Sequence, residues 1–249
     1  MCWRWGRQHQ SSVQYAVVTM VKYDDKDWFR SSQWNETIEA EFERRLKRAR
    51  STGQAQYLRI QAVHLADQPD PGLRAVARRL YQRVMDEYGD TDKMQATAAS
   101  EELAESWQKD GFLDEAESAY RATLELIGEH PTGRNLTTHL TELLLAELLY
   151  VKGDEESLHE ASRLLDLAEA QAKSSIFNIS KFRFLLARAR VAATLGDPRA
   201  ADFAHNALEV GQLSEPTLSR HPDLDLPTPQ SDEREELASI ESRFARAAN

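Results

Sequence analysis

Apolar stripes of helical period, separated by short glycine and proline breaks, run through most of this chain and predict an all-α fold. The clearest example is a helical hairpin between Ala99 and Glu129. Its apolar positions recur at steps of three and four residues on both sides of Gly111: Leu103, Ala104 and Trp107 before it, and Ala116, Tyr120, Thr123 and Leu124 after it. Helices end readily at a glycine because glycine tolerates a positive φ. We therefore predict two helices joined by a turn at Gly111.

The same pattern recurs around Gly153 and Gly196. Seven residues before the three glycines stand the small residues Ala104, Ala146 and Ala189, and four residues before them stand Trp107, Leu149 and Ala192. The second helices continue with Ala161, Leu165 and Ala168 after Gly153, with Ala201, His205 and Leu208 after Gly196, and, in a weaker copy, with Ala77, Tyr81 and Val84 after Gly72. Small residues let a paired helix approach closely, and larger ones fill the space between pairs. The repeats predict helix pairs stacked in chain order.

These residues resemble the tetratricopeptide repeat family over roughly Gln54 to Gly211. The best-matching residues are Leu103, Ala104, Trp107, Gly111, Asp114, Glu115, Ala116, Tyr120 and Pro131. The resemblance implies a right-handed superhelical array of antiparallel helix pairs, an α-solenoid with capping helices at its N- and C-terminal ends.

Two features depart from that family. The glycines at 72, 111, 153 and 196 lie 39, 42 and 43 residues apart, whereas the family repeats at about 34 residues. Arg188 stands where the other copies have Leu103 and Leu145. Longer helices would explain the period, which also approaches helical-repeat families of about 40 to 47 residues. Another two-helix solenoid or an irregular bundle therefore remains as an alternative.

The chain divides into four segments by composition. Residues 1–23 form an N-terminal extension, 24–213 the repeat domain with a capping helix at 36–50, 214–231 a proline-rich linker, and 232–249 a C-terminal helix. We expect eight helices between 54 and 213, with breaks that include 69–72, 88–90, 109–111, 130–133, 152–154 and 196–198. The C-terminal helix either caps the array or forms a tethered arm, and removal of the chain after Ser214 should lower stability only in the first case.

The N-terminal region differs from the rest. Val13–Val21 is rich in β-branched residues and reads as a strand, yet no later segment offers it a partner. We expect residues 1–23 to be disordered, with Met20 as an alternative start and no secretory signal. Asp24–Trp34 gathers two tryptophans and a phenylalanine, which we interpret as an aromatic plug over the open end of the array. A binding platform is the alternative.

Composition excludes several classes of function. The net charge of -10 argues against nucleic acid as a partner. A basic run (Arg44, Arg45, Lys47, Arg48 and Arg50) follows several glutamates, so we interpret it as the solvated, dipole-complementing end of a helix. No apolar run approaches the roughly 20 residues of a membrane span. The single cysteine, Cys2, fits a reducing compartment, and we expect a cytoplasmic protein.

Motifs for catalysis, cofactors and metals are missing from the sequence. His159-Glu160 begins the zinc-protease helix signature, but the second histidine one turn later is absent. The chain contains no phosphate-binding glycine loop, dinucleotide fingerprint or nucleophile-elbow serine. We therefore expect a protein that is not an enzyme and holds no cofactor or metal, and an enzyme with an unrecognised helical site is the last alternative.

A stacked array presents a concave wall formed by the first helix of each pair. If the resemblance holds, the inward positions are Glu101, Glu105, Gln108, Leu143, Glu147, Tyr150, Arg183, Leu186 and Arg190. Such a groove would run from acidic to basic through an apolar middle, and would suit a protein or peptide whose charges run the opposite way. We expect an interaction scaffold. The alternatives are a regulator that senses a peptide or small ligand, and ordinary surface residues with no partner.

Overall fold

The computed structural model describes residues 26–130, 134–175, 177–216 and 226–247. Within these ranges the protein contains ten α-helices and no β-strand, which confirms the all-α prediction. The expectations for residues 1–23, including the strand Val13–Val21 and the start at Met20, lie outside the described residues.

The helices follow one another with short connections. Their bounds are α1 Glu36–Leu46, α2 Ser51–Ala66, α3 Pro71–Tyr88, α4 Lys93–Lys109, α5 Leu113–Glu129, α6 Thr141–Lys152, α7 Glu155–Ser174, α8 Asn178–Leu195, α9 Ala200–Gly211 and α10 Ser231–Ala247. The first capping helix is shorter than expected, because α1 ends at Leu46 and α2 begins at Ser51 rather than continuing one helix to residue 50.

Side chains at several helix starts explain where the helices begin. Asn35 accepts a hydrogen bond from the backbone N–H of Ile38, and Asp70, Asp92 and Asp154 make equivalent caps on α3, α4 and α7. Such caps satisfy backbone donors that lack a partner within the helix. They fix the starts of four helices at the breaks that the sequence indicated.

The helices pack in consecutive pairs, α2 with α3, α4 with α5, α6 with α7 and α8 with α9. Successive pairs also contact each other, and α2 touches α4, α6 touches α8, and α8 touches α10. The arrangement confirms that neighbouring helices pack in chain order. The first helices of the first two pairs, α2 and α4, thus lie side by side, as do those of the last two pairs, α6 and α8.

Three of the four repeat glycines adopt the left-handed conformation that the sequence predicted. Gly111, Gly153 and Gly196 have φ angles of 80°, 74° and 74°. Gly72 does not, because Pro71 opens α3 and the Asp70 side chain accepts from the Gly72 N–H, which places this glycine inside the first helical turn. The α2–α3 turn is therefore made before the proline.

The small residues of the repeat lie where the paired helices approach most closely. Ala104, Ala146 and Ala189 are completely buried. The predicted positions of the second helices in α3, α5 and α7 are buried as well. In α9 the prediction was one residue out of register, since the buried residues are Ala200, Ala204 and Ala207. The turn at Asp197-Pro198 is longer, since α9 begins four residues after Gly196 whereas α5 begins two residues after Gly111, and the buried face of α9 is shifted by one residue.

Both ends of the array are covered. Trp28 and Phe29 contact Tyr57 at ring-centroid distances of 5.1 and 4.6 Å, and Trp34 contacts Phe42 at 5.4 Å, so the aromatic segment packs on α1 and α2. At the other end α10 lies against α8 and α9 and buries Leu237 and Ile240. α10 contacts α9 and α8 as α8 contacts α7 and α6, so it occupies the position of a further first helix.

Arg188, the sequence's departure from the repeat, is 5% exposed. Its Nη2 donates to Asp166 Oδ1 at 2.6 Å, and the guanidinium lies 5.6 Å and 5.3 Å from the ring centres of Phe184 and Phe203. Because an arginine stem packs like an apolar side chain while its head bonds to a carboxylate, the residue fits a position that is leucine in other copies.

Candidate functional site

The inward-facing residues predicted by spacing fall mostly into two cavities. Six of them line one cavity of about 420 Å³: Gln108, Glu147, Tyr150, Arg183, Leu186 and Arg190. Glu101 and Glu105 line a second cavity of about 260 Å³. Leu143 lines neither, because it is completely buried in the core between α5, α6 and α8.

The first cavity, which we call the apolar cavity, lies where α4, α6 and α8 face the C-terminal segment. Sequence spacing missed seven of its lining residues: Val151, Ile179, Phe182, Ala187, Pro227, Thr228 and Glu233. Val151 and Ile179 are 63% and 41% exposed, which is unusual for large aliphatic side chains. In the sequence, these two residues could have been found as apolar side chains next to polar helix ends. No sequence feature indicates that Pro227 and Thr228 line the cavity, because their position depends on where the linker packs.

The two arginines of the apolar cavity are already paired. Arg183 donates from Nε to Glu147 Oε1 at 2.9 Å and from Nη2 to Glu147 Oε2 at 2.6 Å. Arg190 donates to Glu236 Oε2 at 3.0 and 2.7 Å. These pairs offset the charge of both guanidinium groups, so the groove does not present its expected basic end as unpaired cations. The neighbouring first helix α6 and the C-terminal helix α10 supply the compensating acids.

The second cavity, which we call the acidic cavity, lies between α2, α4 and the α5–α6 connection. Four carboxylates and one ammonium line it, Asp67, Glu101, Glu102, Glu105 and Lys109. Lys109 Nζ lies 3.6 Å from Asp67 Oδ1 at the exposed rim. Negative charge is therefore in excess along this part of the groove.

Two of these carboxylates serve the fold. Glu101 is 2% exposed and accepts hydrogen bonds from the Thr138 backbone N–H at 2.7 Å and from the Thr141 hydroxyl, which fastens the α5–α6 connection to α4. Glu102 accepts from Arg59 through Oε1, while its Oε2 is buried and has no hydrogen-bond partner among the described residues. Burial raises the pKa of Glu102 to about 8, with the Arg59 ion pair opposing the rise and Glu105 adding to it.

Glu105 differs from both neighbours. Its side chain is half-buried and makes no hydrogen bond or ion pair in the described part of the chain. Burial raises its pKa, and the charge of Glu101 raises it further, while Lys109 and Arg183 act in the opposite direction. A carboxylate held partly out of water without a partner is available to a cation that enters the groove.

Helix α4 joins the two cavities. Glu105 lines the acidic cavity and Gln108, one turn later on the same face, lines the apolar cavity. Gln108 is held by Tyr120, whose hydroxyl donates to Gln108 Oε1 at 2.9 Å. The charge of Glu105 also acts on Arg183. The cavities are neighbouring parts of one surface, which we call the groove.

Residues of the α5–α6 connection form one wall of the acidic cavity. Leu136 and His139 have φ angles of 70° and 62°, a conformation that residues other than glycine rarely adopt. Leu136 is 49% exposed and lines the cavity beside Thr137 and Thr138. The hydrogen bond between Thr138 and Glu101 supports this backbone. Leu136 therefore adds a third exposed apolar side chain at the edge of the groove, after Val151 and Ile179.

No protein-family model matches the chain, and no curated protein or solved structure matches it either. In the described ranges, no three histidine, cysteine or acidic side chains are grouped so as to hold a metal ion. Across the same ranges, none of the helices combines the length and apolarity that crossing a membrane requires.

Proposed function

We propose that this protein is a non-catalytic adaptor of tetratricopeptide-like architecture that binds an extended segment of a partner protein in its groove. The observation that carries the proposal is the groove itself: eight of nine inward positions, chosen by spacing alone, line two adjoining cavities. Contacts between α2 and α4, α6 and α8, and α8 and α10 support a superhelical stacking of the pairs. The single cysteine, Cys2, supports a cytoplasmic setting.

The apolar cavity supplies the anchoring part of such a site. Peptide-binding surfaces expose large apolar side chains rimmed by polar ones. Val151 and Ile179 stand exposed at this cavity, with Phe182 and Leu186 beneath them and the Glu147–Arg183 pair beside them. A partner's aliphatic or aromatic side chain placed here would bury part of this exposed apolar surface.

A double variant, Val151→Gln with Ile179→Gln, tests the proposal. Both positions are exposed, so the fold should survive, while the lost apolar contact should weaken partner binding about tenfold or more. The matched control is Leu167→Gln, an exposed apolar residue of α7 that lines neither cavity. Partners captured from the native host are identified by mass spectrometry and their affinities measured by calorimetry. Equal affinity for the double variant and the control would reject the groove as the binding site.

One observation favours a regulatory function as the second candidate. Pro227, Thr228 and Glu233 of the C-terminal segment wall the apolar cavity, and Glu236 of α10 pairs with Arg190 at its edge. A ligand bound in the apolar cavity would therefore contact the C-terminal segment, which packs on the last helix pair. We propose ligand sensing as the second candidate, and a ligand-dependent change in hydrogen exchange confined to α10 would distinguish it from a passive scaffold.

A further inference from the structure

Glu105 differs from the other glutamates of the groove in having no bonded partner among the described residues. Glu101, Glu102, Glu147 and Glu236 each bond to a residue of this chain. Glu105 alone among the groove glutamates of α4 and α6 has no such bond in the described residues. A half-buried carboxylate with unmet hydrogen-bonding capacity is costly to the free protein and is relieved by a cationic donor.

We propose that the groove recognises an unfolded peptide segment in which a lysine or arginine lies a few residues from a large apolar side chain. This inference rests on the proposed function. The cation bonds to Glu105 in the acidic cavity, and the apolar side chain enters the apolar cavity, whose lining includes Gln108, Val151 and Ile179.

The spacing of the two subsites follows from α4. Glu105 and Gln108 are separated by three residues, which corresponds to about 4.5 Å along a helix. An extended peptide covers about 3.3 Å per residue. A cation at Glu105 and an apolar side chain that enters the apolar cavity beside Gln108 would therefore lie within a few residues of each other, and Gln108 can bond to the peptide backbone between them.

Electrostatics decide the sign of the charged residue. The groups that act on Glu105 are Glu101 and Asp67, which are acidic, and Lys109 and Arg183, which are basic. Arg183 is held by Glu147 and Lys109 lies beside Asp67 at the rim, so neither cation is free to receive an acidic peptide. An acidic segment would instead face the excess of carboxylates. Complementarity therefore favours a cation.

Selection of a random peptide library displayed on phage against the full chain tests the inference. We expect enriched sequences to carry lysine or arginine near leucine, isoleucine, methionine or phenylalanine. Affinities of synthetic copies are then measured by fluorescence polarisation against three variants. Glu105→Gln should weaken binding about tenfold, Glu105→Lys should weaken it more, and Glu125→Gln, an exposed glutamate of α5 outside both cavities, should leave it unchanged.

Loss of binding through misfolding is separable from loss of the contact. Glu105→Gln removes a poorly solvated charge, so its melting temperature should equal or exceed that of the original chain. Selected peptides without a cation, or with binding indifferent to Glu105→Gln but abolished by Val151→Gln with Ile179→Gln, would overturn this inference and leave the proposed function standing. Failure to select any peptide, or selection of peptides that bind the double variant equally well, would overturn both.

Discussion

Replacement of the three left-handed turn glycines by alanine should destabilise the protein by a similar amount at each site. Gly111, Gly153 and Gly196 have φ angles of 80°, 74° and 74°. Among the described residues, a Cβ would meet nothing within 4 Å at Gly111 and Gly196, and at Gly153 only the carbonyl oxygens of Tyr150 at 3.7 Å and Val151 at 3.9 Å. Steric clash with neighbours is therefore small. Each substitution should therefore lower the free energy of unfolding by about 1–2 kcal/mol, which is the cost of placing alanine in the left-handed conformation.

A fourth glycine supplies a control of opposite sign. Gly128 lies within α5, its φ is not positive, and a Cβ there would also meet nothing within 4 Å. Alanine at this position should raise the free energy of unfolding, by up to about 0.5–1 kcal/mol, because alanine is the better helix former. Gly111→Asn is a second control, and should cost less than Gly111→Ala since asparagine tolerates the left-handed region.

Urea unfolding followed by far-ultraviolet circular dichroism measures these effects. The order of stability should be Gly128→Ala above the original chain, then Gly111→Asn, then the three turn alanine variants. If the turn variants matched the original chain, or if Gly128→Ala were as destabilising as they are, the turns would not be held in the left-handed conformation. The description of the repeat as helix, glycine turn and helix would then fail.

Three further perturbations address single residues. Arg188→Leu should change the free energy of unfolding by less than about 1.5 kcal/mol, whereas Arg188→Ala, which leaves a cavity beside two phenylalanines, should cost about 2 kcal/mol or more in urea unfolding. Leu237→Ala, at a fully buried position of α10, should cost about 2–5 kcal/mol by the same measurement if α10 caps the array. Burial raises the pKa of Glu102 to about 8 in the folded chain, above its ordinary 4.5. Between these two pH values the folded chain binds more protons than the unfolded chain, so the free energy of unfolding falls as the pH rises from 4.5 to about 8. Glu102→Gln should flatten this decline, which thermal unfolding at several pH values would reveal.

Local features of the sequence predicted the helices and their packing in chain order. Turn glycines, buried alanines and helix caps depend on neighbours in the chain, and the periodic pattern identified Ala104, Ala146 and Ala189 before any contact was known. The errors arose where a turn changes the offset between a glycine and the next helix. Pro198 moved the register of α9 by one residue, and Pro71 placed Gly72 inside α3.

Charge in the groove could not be predicted in the same way. Arg183 and Glu147 are 36 residues apart in sequence, and Arg190 and Glu236 are 46 apart. Their pairing depends on how the first helices of successive pairs, and α10, lie side by side. Reading each helix alone counted the arginines as free cations, and the structure removes them from that role. The carboxylate of Glu105 was predicted to face inward, but its lack of a partner required the packed helices.

The exposure of the inward residues depends on their distance from the turn glycine, which the sequence spacing alone did not predict. The inward residues ten positions before a turn glycine, Glu101, Leu143 and Leu186, are 2%, 0% and 5% exposed. Those six positions before it, Glu105, Glu147 and Arg190, are all partly exposed. Neighbouring first helices and their connections cover the former, as the bonds from Thr138 and Thr141 to Glu101 illustrate. At these two sets of positions exposure rises toward the glycine turns, where Glu105 and the exposed Val151 lie, whereas on α8 the exposed Ile179 lies in the first turn, so a partner would contact the end of α4 and α6 and the start of α8.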